Sequence, residues 1–281
     1  MKALHQITGI SRQALHQHIH RQSKRLVMEE LLCGQALAIR ERHPRMGCRT
    51  MYDLITDIDL GRDRCEQVLL VKGFSVKRPK SYFKTTQAQY ILRFPNLIKG
   101  LTIRAINLLW QTDITYYHVP CGAVYYIVFI IDVYSRRIVG HCAHDHMRAE
   151  ANLLCLKRAI TLRQGDDLSK LIHHSDWGGQ FIDQRYWDTL SKSGIRMSMC
   201  ETAQENAYTE RINGTIKNGY LIGKDITTLA QLRRELNKAV KAYNEEKPHH
   251  SLPGRMNPVQ FENYLKETPD SQHPTLTIYG N

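Results

Sequence analysis

Apolar positions recur at helical spacing through the first 75 residues and in dense strand-like runs after residue 106, so the chain divides into two kinds of structure. In ALHQITGISRQALHQHIHRQ (3–22) the pattern predicts a short helix, a turn around Gly9 and a second helix capped by Ser11, with Leu15 and Ile19 at i, i+4 spacing. That punctuation fits a helix-turn-helix, in which Arg12, Gln13, His16 and Gln17 open the second helix where such motifs reach base edges. An ordinary helical hairpin has the same pattern. VMEELLCGQALAIRERH (27–43) reads as a longer helix stopped by Pro44, with further helices over RTMYDLITDIDL (49–60) and DRCEQVLLVKGF (63–74). The expected division is thus 1–26 as a helix-turn-helix-like segment and 27–78 as a second small all-α module, then a basic, Pro79-interrupted linker over 79–97 that either follows a DNA backbone or is simply solvated.

Beyond the linker the spacing changes. LLWQTDITYY, VYYIVFIIDV and RIVGHCAH, separated by VPCGA and YSR, predict a three-stranded antiparallel meander. A helix over 149–165, a strand over 168–176, a helix over 184–194, a strand over 196–200 and helices over 206–221 and 229–247 follow. This order predicts an α/β fold, a mixed sheet with helices on its faces, spanning 98–265 and followed by a C-terminal tail over 266–281.

Charge sharpens the division. Of the net +12, residues 1–100 carry 18 Lys+Arg against 8 Asp+Glu, and residues 101–281 carry 21 against 19. A basic N-terminal third attached to a nearly neutral remainder suits a module that binds a polyanion, since Lys and Arg near phosphates release condensed counterions. A merely soluble basic protein is the plainer alternative. No run approaches the ~18 consecutive apolar residues of a membrane span, and the N-terminus lacks the apolar centre of a signal peptide, so the expectation is a cytoplasmic protein without a membrane partner. Seven scattered cysteines without a CxxC pair argue against a disulfide framework and a cysteine zinc knuckle.

Three carboxylates stand out by position. Asp113 lies inside an apolar strand, Asp176 just past a strand end before Gly178 and Gly179, and Glu210 within a helix. An ionised Asp in such a strand is costly without a partner, and a metal site removes the cost. Mg²⁺ is held by a few carboxylates together with substrate phosphates, and two such ions about 3.5–4 Å apart can activate an attacking oxygen and stabilise a leaving one. Singly, each residue has a structural explanation: a hydrogen-bonded strand Asp, a turn-initiating Asp, a surface pair with Lys217 or Arg211. Asp132 competes with Asp113 but reads as a strand-end residue bonding the turn that follows. Glu201 and Glu205 precede the helix, whereas Glu210 and Lys217, seven apart, share one helical face and put a cation beside the site.

These residues resemble a known family, the retroviral-integrase-like DDE transposases of bacterial insertion sequences, most closely the second-frame (OrfB) product of the IS three group. LLWQTDITYY, IIDVYSRRIVG (130–140), HHSDWGGQF (173–181), NAYTERINGTIKNGYL (206–221) and YNEEKPHHSLPGRMNPVQF (243–261) carry the resemblance across nearly the whole chain, with 33 residues between Asp176 and Glu210 and Lys217 seven after Glu210. MGCRTM (46–51) looks like the family's Gly and Arg signature in its helical module, so DNA binding by 27–78 is implied by the resemblance. The resemblance implies a ribonuclease H-like catalytic core, a triad of Asp113, Asp176 and Glu210 holding two Mg²⁺ or Mn²⁺ ions, and cleavage and transfer of DNA strands without a covalent protein intermediate. It also implies the element's terminal inverted repeats and target DNA as partners, a homo-oligomer on DNA, and an upstream-frame DNA-binding product. The chain departs from the pattern at Glu205, where the family usually has Asp, and at Gly219, where it often has an acidic residue.

Other constellations are weaker. His16, His18 and His20 with Cys33 lack zinc-ligand spacing, because alternate helical positions point about 200° apart. His173 and His174 accompany no GxSxG elbow, and His174 reads as a residue supporting the metal ligands. Trp110 and Trp177 flank the two aspartates and read first as packing residues, with stacking on DNA bases as the alternative. A DNA-binding regulator with a dead core and a hydrolytic nuclease that does not join strands are the alternative functions.

Overall fold

A computed structural model describes residues 11–77, 94–119, 122–176, 181, 183–200 and 203–278 of the 281, with the side chains of 203 and 204 left aside. Two compact units result, Met1–Arg78 and Pro79–Asn281. The first helix and turn of the expected helix-turn-helix, Trp177 and most of the linker lie outside the described residues.

The first unit is built on α1 (Arg12–Arg42), with α2 (Cys48–Met51) continuing into a 3₁₀ turn over Tyr52–Leu54, and α3 (Arg62–Val71). Ser11 caps α1 as the sequence suggests, its hydroxyl accepting from the Ala14 N–H at 3.1 Å. The structure differs from the expected division at 26/27, because α1 crosses it unbroken. Nothing between 12 and 33 is Gly or Pro, so no residue interrupts the helix there. The helix expected over 49–60 instead stops at Leu54. Gln35 of α1 takes both backbone groups of Thr56, donating to its carbonyl at 2.7 Å and accepting from its N–H at 3.0 Å, and this long-range bond outcompetes helix continuation. Leu32, Ala36 and Ile39 pack against Met51, Cys65 and Leu69 as the unit's core.

The second unit contains β1 (Thr102–Ile103), β2 (Leu109–His118), β3 (Val124–Asp132), β4 (Ile138–His144), α4 (Ala149–Leu162), β5 (Ile172–Ser175), α5 (Gln184–Lys192), β6 (Arg196–Met199), α6 (Ala207–Ile216), α7 (Leu229–Glu245), α8 (Pro258–Glu267) and β7 (Leu276–Thr277). The main sheet has the order β4-β3-β2-β5-β6. β2, β3 and β4 are antiparallel, whereas β5 and β6 join parallel to β2, the ribonuclease H-like arrangement. Both faces are covered, so strand residues alternate between two cores. Ile127, Phe129 and Ile131 face α6, α7 and α8, while Val128 and Ile130 face α4 and α5. The strand expected over 168–176 is shortened at its start by a turn closed by Leu171 N–H donating to Leu168 O.

The expected C-terminal tail at 266–281 is corrected by the structure. α8 reaches Glu267, and β7 pairs with β1 through Thr102↔Thr277 and Ile103↔Leu276, which buries Ile278. Tyr134 donates to Pro274 O at 2.7 Å, so this short segment is bound into the core through backbone contacts that no periodicity announces. Among the described residues no helix is long and apolar enough to cross a membrane.

At Gly140 the α4 backbone approaches β4 closely. A Cβ there would stand 2.7 Å from the Cys155 carbonyl oxygen and 3.1 Å from Ala159 Cβ. Gly140→Ala is therefore expected to destabilise the second unit by about 2 kcal/mol through overpacking, read as a lowered midpoint in thermal or urea unfolding. An unchanged midpoint would mean that α4 shifts freely.

Candidate active site

Sheet register brings the two aspartates together. Parallel pairing of β2 with β5 runs through Thr112↔Ser175, so Asp113 and Asp176 are the next residues on adjacent strands. The antiparallel partner of Asp113 on β3 is Phe129, which keeps the carboxylate mid-sheet. The third element is then locked over β2 by a run of polar contacts. Asn206 donates to Thr112 O at 2.9 Å, Gln111 donates to Glu205 O at 2.8 Å, and Thr209 donates to Asn206 Oδ1 at 2.7 Å. Asn213 Nδ2 donates to Asp113 Oδ2 at 2.6 Å. Glu210 lies three residues before Asn213 on the exposed side of α6, which places it on the helical face that approaches Asp113.

Electrostatics register the convergence. Burial, then the Asp176 carboxylate, and more weakly the Glu210 carboxylate, push the Asp113 carboxyl up to about 7. The Ile114 N–H and the Asn213 amide oppose this by donating to it. A buried carboxylate facing the charges of two others is an arrangement a divalent cation relieves, and the hard oxygens of the three fit Mg²⁺ or Mn²⁺.

The surroundings separate the other sequence candidates. Asp132 is fully buried and accepts from the Asn107, Tyr134 and Ser135 N–H groups at 2.7, 3.0 and 2.9 Å, the turn-bonding role expected of it. Lys217 sits where α6 passes into a π turn over Lys217–Leu221, and its Nζ donates to Thr115 Oγ1 at 3.1 Å on the strand that carries Asp113. Desolvation lowers its pKa and Asp113 opposes the shift. His173 is held by Tyr186 at 2.7 Å, and burial pushes it down to about 3. His174 is buried too, its Nδ1 2.9 Å from Ser198 Oγ, and burial pushes it down to about 4. Trp110 is completely buried in the core between the sheet and α4 and α5.

Arg12, Gln13, His16 and Gln17 are all exposed on the first turns of α1 and are not brought to the carboxylates by any described contact. Cys33 lies 13 residues beyond His20 on the same helix, about 20 Å along its axis, which separates it from the three histidines. Arg49 of MGCRTM pairs with Asp63 at 3.2 Å and Glu66 at 3.4 Å, tying α2 to α3.

Asn213 was missed in the sequence, although its position three after Glu210 was the available signal. It fixes which lone pairs of Asp113 remain available. Asn213→Ala is expected to lower strand-joining activity roughly 10- to 100-fold, the cost typical of losing a residue that orients a metal ligand. Asn213→Asp, which puts a fourth carboxylate beside Asp113, should be worse than Ala. Equal activity of both variants with the parent would remove Asn213 from the site.

Two family profiles, each described as Integrase core domain, match residues 104–204 and 192–258. The "Transposase for insertion sequence element IS904" of Lactococcus lactis subsp. lactis is 28% identical over 251 residues, covering 87% of this chain and 98% of that protein. "Transposase InsF for insertion sequence IS3A" of Escherichia coli is 28% identical over 159 residues, covering 56% of this chain and 54% of that protein. Among solved structures, the HTLV-2 integrase catalytic core domain in complex with magnesium (trimeric form) superposes with a TM-score of 0.45 at 21% identity, covering 59% of this chain and 99% of that one. The two profile matches together run over more than half of the 281 residues and enclose β2, β5 and α6, and the chain belongs to the integrase core domain family.

Proposed function

We propose that this protein cuts DNA at the ends of an insertion sequence and joins the freed ends to new DNA, with Asp113, Asp176 and Glu210 holding two divalent cations. The observation that carries the reading is the convergence of carboxylates from β2, the end of β5 and α6: the strand register sets Asp113 beside Asp176, and burial, with the Asp176 charge and more weakly that of Glu210 added to it, pushes Asp113 up to about 7. When bound, Mg²⁺ or Mn²⁺ supplies activation of the attacking oxygen and stabilisation of the leaving one in an in-line displacement.

The chain's own groups do the rest. Asn213 orients Asp113, and the α6 contacts to Gln111 and Thr112 fix the helix that delivers Glu210. Lys217 holds a cation beside the strand of Asp113, where it meets a phosphate of the bound DNA. His174 supports the strand end that carries Asp176. Water attack at the element's end frees a 3′-hydroxyl, which then attacks a second phosphodiester, so no Ser or Tyr nucleophile is needed. Arg12, Gln13, His16 and Gln17, exposed on a basic helix, read the terminal inverted repeats. Several copies assemble on the paired ends, with an upstream-frame DNA-binding product as a further partner, and the protein works in the cytoplasm on the nucleoid.

The test supplies a pre-cut element end, target DNA and Mg²⁺ to the full chain. Joined product is expected. Cleavage without joining would make the protein a nuclease, and DNA binding without either reaction would make it a regulator.

A further inference from the structure

A second group of potential ligands, of different chemistry from the three carboxylates, lies buried at the ends of β5 and β6. His174 is the third residue of β5, Cys200 follows β6, and Glu205 sits in the 3₁₀ turn Ala203–Asn206 that leads into α6. One ligand atom from each, an imidazole nitrogen, the thiol sulfur and a carboxylate oxygen, lies within 4.8 Å of the other two, and all three residues are buried. Cys200 Sγ and His174 Nε2 are 3.1 Å apart, and the other ring nitrogen faces Ser198 Oγ at 2.9 Å.

We propose that His174 Nε2, Cys200 Sγ and a carboxylate oxygen of Glu205 form a binding site for a thiophilic divalent cation of the Zn²⁺ class, separate from the hard-cation site of Asp113, Asp176 and Glu210. Four features support it. The donor set is one nitrogen, one sulfur and one oxygen, a combination zinc accepts with a fourth position left for water. One thiolate and one carboxylate balance the two charges of the ion, so the buried cluster becomes neutral overall. Bond lengths of about 2.0–2.3 Å at a tetrahedral centre set ligand atoms roughly 3.3–3.8 Å apart, so Cys200 and His174 need separate by only a few tenths of an ångström. Ser198 holds the remaining ring nitrogen, the outer contact that orients a metal-bound imidazole. Mg²⁺ does not compete, because it takes oxygen ligands and gains little from a thiolate.

Each ion that binds displaces the Cys200 thiol proton to solvent, and no electron transfer is involved. The ion would join β5, β6 and the turn before α6 at one point. His174 precedes Asp176 by two residues and Glu205 precedes Glu210 by five, so the ion braces the carriers of two of the three carboxylates. The site itself does not depend on the transposase reading, and its test uses no DNA.

The metal-free full chain is titrated with Co²⁺. One equivalent is expected to produce a thiolate-to-cobalt charge-transfer band and the intense visible bands of a four-coordinate site, with Zn²⁺ bleaching both. Cys200→Ser should remove the charge-transfer band and weaken Zn²⁺ binding roughly 100-fold. Glu205→Gln should weaken binding while keeping the band, and Asp113→Asn should leave the spectrum unchanged. Should the Cys200 variant not fold, X-ray absorption on the zinc-loaded parent chain is decisive. One sulfur among four ligands supports the site. No sulfur, or more than one, overturns it, as does a charge-transfer band that survives Cys200→Ser or fails to appear in the parent.

Discussion

Asp113→Asn is expected to abolish strand joining while making the metal-free protein more stable at neutral and alkaline pH. The side chain keeps its size and one carbonyl oxygen for the Ile114 N–H. Its new amide nitrogen faces Asn213, whose side-chain amide turns to present its oxygen, and it loses the charge that burial, Asp176 and Glu210 oppose. The sign follows from linkage. The folded-state pKa is raised from 3.8 to about 7, so the folded protein holds this proton more tightly than the unfolded chain. The cost is absent below about pH 4, grows as pH rises, and is fully present above about 7. At pH 8 the variant's melting temperature should exceed the parent's by about 3 °C or more, and the difference should vanish near pH 4. The same titration sets metal binding. Mg²⁺ or Mn²⁺ affinity should rise with pH until about 7, with a proton released per binding event, and then level off. Joining that survives in Asp113→Asn would refute the site, whereas lost joining without the pH-dependent gain in stability would refute only its electrostatics.

Glu262→Ala should produce the largest loss of stability of any single change in the second unit. Glu262 is almost fully buried on α8 and accepts from both terminal guanidinium nitrogens of Arg163, one of Arg137 and the Ser135 hydroxyl. Burial alone would raise its carboxyl, but Arg163 first and Arg137 after it outweigh burial and hold it below the usual range. Truncation would leave the buried Arg163 facing only Asp132 and more distant acids, and breaking such a buried pair costs about 3–5 kcal/mol. Urea unfolding followed in the second unit checks this. Because the folded pKa is depressed, the stabilisation is present above the unfolded pKa and is lost as pH falls through the folded one. A loss under about 1 kcal/mol would mean that water replaces the carboxylate.

The legible parts of the sequence were those governed by local periodicity. The meander of β2, β3 and β4, the helices α4, α5 and α7, and the turn role of Asp132 all follow from short-range patterns. The order of acidic residues suggested a site, but only the β2–β5 register explains why Asp113 and Asp176 are neighbours. What stayed hidden depends on contacts far along the chain. Gln35 ends a helix 21 residues away, β7 pairs with β1 across the whole second unit, and Cys200 meets His174 only because β6 lies parallel to β5. Asn213 is intermediate: its helical phase was readable, but its bond to Asp113 required knowing which face of α6 meets the sheet.

The unbroken α1 has an energetic consequence for DNA recognition. Its buried residues are Leu32, Ala36 and Ile39, while nearly every position from Arg12 to Val27 is exposed. The packed turns supply the nucleus, so the outer turns propagate from it, each adding one hydrogen bond with little side-chain burial to hold it. Arg12, Gln13, His16 and Gln17 lie on the outermost of these turns, behind the Ser11 cap. On the proposed reading, in which these residues contact DNA, a phosphate held there would favour the helical state, and helix order and DNA affinity would be two readings of a single equilibrium.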